Sequence, residues 1–181
     1  MLPVSDEFLL NMAEVSASLI GLFLVGVFFY VERGFRELAR GREAVTPYFR
    51  AGARIVLVLF AIPLGLPLTL IVLEPVWNRV IFLILSLMLI MTNFQTAARV
   101  RAVWNYTRST AMLFNEVAGT IGVAVLVVIP WVLGGFHPTR EDFTWAILLA
   151  FATGFLSICA LVLSTFDIAR AGDSIRTDNE T

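Results

Sequence analysis

Residues 111–133 read AMLFNEVAGTIGVAVLVVIPWVL, an unbroken apolar run in which Glu116 is the only charged side chain. As an α-helix such a run is about 35 Å long, enough to cross the hydrocarbon core of a bilayer. Similar runs lie on either side, over residues 8–31, 51–73, 77–98 and 143–166. The chain has 181 residues, of which 59% are hydrophobic and 15% charged, and its mean hydropathy is +0.86. That balance is too apolar for a soluble core of this size and places the chain in a membrane. The expected architecture is an all-α integral membrane protein. It has five transmembrane helices in a single polytopic domain over residues 1–181, with a polar, mobile cytoplasmic tail over 167–181.

The connections between the runs fix an orientation. Arg33, Arg36, Arg40, Arg42 and Arg50 fall between the first two spans and Arg99, Arg101 and Arg108 after the third, whereas the other two turns hold only Arg79 and Arg140. By the positive-inside rule the N-terminus is outside and the C-terminus, with Arg170 and Arg176, is cytoplasmic. Aromatic residues mark the same boundaries: Trp77, Trp131 and Trp145 at the outer ends, and Tyr30, Tyr48, Trp104 and Tyr106 at the inner ones. Asp6 and Glu7, with no basic residue ahead of the first span, are the wrong flank for a cleaved signal peptide, so the first helix is expected to stay in the mature protein. Cap chemistry predicts two helix starts, at Thr46-Pro47 and at Thr139 followed by Glu141 and Asp142. The first span is expected to run on as helix through Glu37 and Leu38 to Gly41.

The first and fourth spans resemble each other without gaps. Glu14-Val15-Ser16-Ala17-Ser18-Leu19-Ile20 matches Glu116-Val117-Ala118-Gly119-Thr120-Ile121-Gly122, acid with acid, small with small and hydroxyl with hydroxyl. A weaker echo pairs Phe60-Ala61 of the second span with Phe151-Ala152 of the fifth. The two glutamate-bearing spans cross the membrane in opposite directions in the derived topology. The pattern predicts an inverted repeat of helices 1–2 and 4–5 about a central third helix, a device by which small transporters alternate access to a central site.

Carboxylates at bilayer depth cost about 2.5–3.5 kcal/mol even on insertion scales, so Glu14 and Glu116 are the leading candidates for an ion or substrate path. Asn11, Glu14 and Ser18 share one helix face by spacing, beside a small-residue stripe of Ala13, Ala17 and Gly21. Glu116 and Thr120 share a face of the fourth span, and Asn93 and Gln95 of the third lie at the depth to hydrogen-bond Glu116. In the second span Pro63 and Pro67 bracket Gly65. Each proline removes a backbone donor, which predicts a mid-membrane kink, break or gate. A structural alternative pairs Glu116 with Arg54 and Glu14 with Arg79 as ion pairs.

Other classes find little support. The basic residues are all arginine and form no nucleic-acid patch. His137 in an outer turn and the lone Cys159 in an apolar run assemble neither a metal cluster nor a nucleophile with its base, so an enzyme is disfavoured and no cofactor or metal is implied. Two readings stand. One is a small transporter or channel for an ion or proton-coupled solute. The other is a non-transporting scaffold or accessory subunit whose polar faces join helices. Either is expected as a homo-oligomer in the lipid bilayer. The lysine-free basic set suits a GC-rich bacterial genome, and hence the bacterial cytoplasmic membrane.

Overall fold

The Ser5 hydroxyl accepts a hydrogen bond from the Phe8 amide at 3.2 Å, and its carbonyl accepts one from the Leu9 amide at 3.3 Å. This N-cap starts the first helix, α1, over Asp6–Leu38. The computed structural model describes the backbone of residues 4–38, 46–107 and 110–178, and the side chains of 4–29, 52–98, 116–160 and 162–163. Four more helices follow: α2 Thr46–Val72, α3 Pro75–Thr107, α4 Thr110–Gly134 and α5 Arg140–Asp178. All five are long and apolar enough to cross a membrane.

Local chemistry explains the boundaries. α2 begins at Thr46 and α3 at Pro75, where proline's missing amide proton and fixed φ suit a first helical position. Gly135, just past the end of α4, has φ +59°, the left-handed conformation that closes helices and that a side chain resists. Thr139 then caps α5. Its amide and hydroxyl both donate to Asp142 Oδ2, at 2.7 and 2.9 Å, and its carbonyl accepts from the Phe143 amide at 3.3 Å. α5 differs from expectation at its far end, because the segment read as a mobile tail continues the helix to Asp178. Residues 167–178 contain no proline, so a helix leaving the membrane has no backbone reason to stop there.

α2 is the centre of the fold. It packs against α1, α3 and α5, while α4 packs on α5 and, less extensively, on α3. Leu59, Phe60, Ile62 and Leu66 of α2 are fully buried, meeting Leu9 of α1, Phe82 and Leu89 of α3, Leu126 of α4 and Ala146, Ile147 and Ala150 of α5 in one core. The outward surface carries Leu22, Phe28, Met91, Phe94, Val132 and Phe155, all exposed. Such an apolar coat suits lipid.

Two arginines tie together the end of the bundle where α1, α3 and α5 begin. Arg79 Nη1 donates to the Phe136 carbonyl at 3.1 Å and its Nε to the Pro75 carbonyl at 3.2 Å, holding the start of α3 to the α4–α5 turn. Arg140 Nη1 pairs with Asp6 Oδ1 at 2.6 Å, and its Nε and Nη2 donate to the Leu70 carbonyl at 3.1 and 2.7 Å. Leu70 sits in the last turn of α2, where carbonyls lack amide partners, so this cation serves as a C-terminal cap.

Candidate functional site

The residues proposed from sequence fall into three places. The first lies between α3 and α4. Glu116 is half-buried, and its Oε1 is enclosed by protein with no hydrogen-bond partner. One turn further along α4, Thr120 Oγ1 accepts a long hydrogen bond, 3.4 Å, from Asn93 Nδ2 of α3. Asn93 is thus bonded to Thr120 and not to Glu116, and Gln95 is exposed. The hydroxyls of Thr92 and Thr96 turn back onto their own helix, Thr92 to the Met88 and Leu89 carbonyls and Thr96 to the Thr92 carbonyl. They leave Glu116 without help.

The second place is the proline segment of α2. The helix is continuous through Pro63 and Pro67, both buried, so the segment is not a break. Proline at 63 denies the Leu59 carbonyl its usual amide. One residue along, the Phe60 carbonyl receives the hydroxyl of Ser16, wholly buried, at 2.6 Å. The ring of Phe60 meets that of Phe151 at 6.1 Å, tilted by 59°. It also closes on Gly154, where an added Cβ would lie 3.1 Å from the ring. Gly65 is different: an added Cβ there meets nothing within 4 Å. Its lack of a side chain is not a packing requirement.

The third place is the outward face of α1. Asn11, Glu14 and Ser18 are all exposed, together with Ala17 and Gly21. The buried stripe is instead Leu9, Ala13 and Ser16, which faces α2. The matched glutamates thus occupy different surroundings: Glu116 is half-buried, one turn from the Asn93–Thr120 bond to α3, and Glu14 is exposed. Neither ion pair of the structural alternative forms. Arg79 is engaged by carbonyls, and the one salt bridge among the described residues is Arg140 with Asp6.

Sequence reasoning gave Ser16 no role beyond the matched segment and passed over Asn78 and Ser86. All three are buried polar residues, and Asn78 Oδ1 and Ser86 Oγ lack partners just as Glu116 Oε1 does. A lone serine or asparagine in an apolar run is unremarkable on its own, but the i, i+4 and i+8 spacing of Asn78, Phe82 and Ser86 puts them on one face and was available to be read. Among the described residues no group of three or more His, Cys, Asp or Glu could hold a metal ion.

No protein-family model matches this chain, and neither a curated protein nor a solved structure matches it.

Proposed function

We propose that this protein is a small membrane transporter or channel for protons or a proton-coupled ion, in which Glu116 is the site that takes up and releases the permeant. The enclosed, unpartnered Glu116 Oε1 carries this reading. A carboxylate built only for packing would have a donor on each enclosed oxygen, since an unmet buried polar atom costs about 1–3 kcal/mol. A proton or a cation meets that oxygen instead. Asn93 and Thr120 line the approach, and the Pro63–Gly65–Pro67 segment supplies flexibility for a gate.

An inverted repeat gives this site a mechanism. The contact of Phe60 with Phe151 supports it, because equivalent residues near a local two-fold axis touch each other. So does the central pairing of α2 with α5, flanked by α1 and α4. On this plan the N-terminus is outside and the C-terminus is inside a bacterial cytoplasmic membrane. Glu14 is the second, outer acid.

The exposed face of Asn11, Glu14 and Ser18 favours a homo-oligomer in either reading, since a carboxylate facing lipid is costly and a second copy covers it. That same face is the observation behind the alternative, a scaffold or accessory subunit that only joins helices. Flux into liposomes containing the purified protein, scanned over pH and common ions with Glu14→Gln and Glu116→Gln beside the wild type, separates the two. Conduction abolished by folded Glu116→Gln supports the first reading; the absence of flux under every condition, with Glu14→Gln dissociating an oligomer, supports the second.

A further inference from the structure

The fully described part of α3 buries Asn78, Phe82, Ser86, Leu89 and Thr96, with half-buried Asn93 completing the stripe. This inward face mixes polar side chains with Phe82, Leu85 and Leu89, whereas the outward one is Leu83, Leu87, Ile90, Met91 and Phe94. Asn78 is 5% exposed and Ser86 2%, yet Asn78 Oδ1 and Ser86 Oγ have no hydrogen-bond partner. Serine and threonine in a helix usually donate back to a carbonyl of the preceding turn. Thr92, Thr96 and Thr144 do so, at 2.8–3.0 Å, and Ser86 does not. Its hydroxyl is left free for another oxygen. Buried water binds to such otherwise unmet polar groups.

Phe82 separates the two residues. It is fully buried, edge-on to Phe143 of α5 at 5.1 Å and 6.5 Å from the ring of Trp131 of α4. Three helices thus contribute one ring each to a layer halfway between Asn78 and Ser86. By helical rise those two are about 12 Å apart along α3, and Ser86 is about 10 Å from Asn93, each gap a few water molecules long.

We propose that Asn78 and Ser86 are water-binding stations of a proton path, closed between them by the Phe82–Trp131–Phe143 layer. From Ser86 the water file continues past Asn93 and Thr120 to Glu116. This inference rests on Glu116 being the conducting acid and specifies the permeant. A dehydrated metal cation needs a shell of several oxygens to replace its water, and a station with one amide or hydroxyl oxygen does not supply it. A water file does carry protons: each oxygen accepts one proton as it passes another on, so the excess charge travels along the file and is neutralised when the Glu116 carboxylate takes up the proton.

The test uses the full chain in liposomes with an internal pH dye and an imposed potassium diffusion potential. Ser86→Val, which replaces the hydroxyl with a methyl and adds a second methyl, is expected to cut proton flux at least tenfold, while Ser86→Thr, of the same shape but with the hydroxyl kept, retains most of it. Phe82→Ala is expected to raise flux several-fold. Opposite signs at neighbouring buried positions are not what general loosening produces, and monodisperse elution with an intact thermal transition establishes that each variant is folded. An experimental structure at water-resolving detail is expected to show density within hydrogen-bond distance of Asn78 Oδ1 and Ser86 Oγ. If Ser86→Val conducts like wild type while Glu116→Gln is silent, the water stations are overturned and the Glu116 reading stands. If Glu116→Gln conducts like wild type, that reading falls and this one with it. Folded Phe82→Ala with no increase in flux overturns the gate.

Discussion

Replacing Arg140 with alanine separates the two kinds of contact it makes. Its ion pair with Asp6 is short, 2.6 Å, but the side chains are 33% and 60% exposed, so solvent screening holds that pair to about 1 kcal/mol or less. The bonds from Nε and Nη2 to the Leu70 carbonyl, at 3.1 and 2.7 Å, are half-buried and involve a charged donor. A bond of that kind contributes about 1.5–3 kcal/mol. Because both bonds reach one oxygen, the second adds less than the first. Arg140→Ala is therefore expected to lower unfolding free energy by about 2–3 kcal/mol, Asp6→Ala by no more than about 1 kcal/mol, and the double variant by little more than Arg140→Ala alone. Arg140→Lys keeps the charge without the planar fork and is expected to fall between. Equilibrium unfolding in mixed micelles, followed by circular dichroism, measures all four. If Asp6→Ala costs as much as Arg140→Ala, the latch is an ion pair and the capping account is refuted.

Four further substitutions test the packing and the candidate site. A Cβ on Gly122 would lie 2.7 Å from Thr153 Oγ1, whereas one on Gly119 meets nothing within 4 Å. Gly122→Ala is thus expected to destabilise α4 against α5 by about 1–3 kcal/mol in the same unfolding assay, with Gly119→Ala neutral or stabilising. Gly65→Ala is expected to leave stability unchanged or raise it by up to about 1 kcal/mol, since the methyl has open space, yet to slow liposome flux several-fold by stiffening the segment between Pro63 and Pro67; unchanged flux removes Gly65 from the gate. Glu14→Leu is expected to convert an oligomeric wild type to smaller species in single-molecule photobleaching counts, and a wild type that counts as monomer contradicts a shared α1 face.

Much of the fold was legible because the bilayer constrains length and hydropathy so strongly. The runs at 77–98, 111–133 and 143–166 lie within α3, α4 and α5, and Thr46 and Thr139 mark helix starts as their cap chemistry implies. The buried face of α1 was less legible. Ala13, Ser16, Ala17 and Ser18 offer small residues on several sides, and the choice of Leu9, Ala13 and Ser16 depends on how α2 presents the Phe60 carbonyl. Nor does local sequence show that Arg140 reaches Asp6 at the other end of the chain, or that Ser86 leaves its own helix carbonyl unbonded. In the candidate site, the nearness of Asn93 to the Glu116 face followed from depth alone, but its bond to Thr120 depends on side-chain geometry. The pairings of Glu116 with Arg54 and Glu14 with Arg79 rest on shared depth, and they fail because α2 does not pack closely on α4 nor α1 on α3.

On the proposed reading Glu116 takes up and releases protons during transport. A hydrophobic carbodiimide reacts with protonated carboxyl groups in apolar surroundings, and mass spectrometry of the reconstituted protein reports which acid is modified while proton flux is followed in the same liposomes. The predicted result is modification at Glu116, with flux falling in proportion to it. Full modification of Glu116 with flux undiminished would exclude it as the conducting acid.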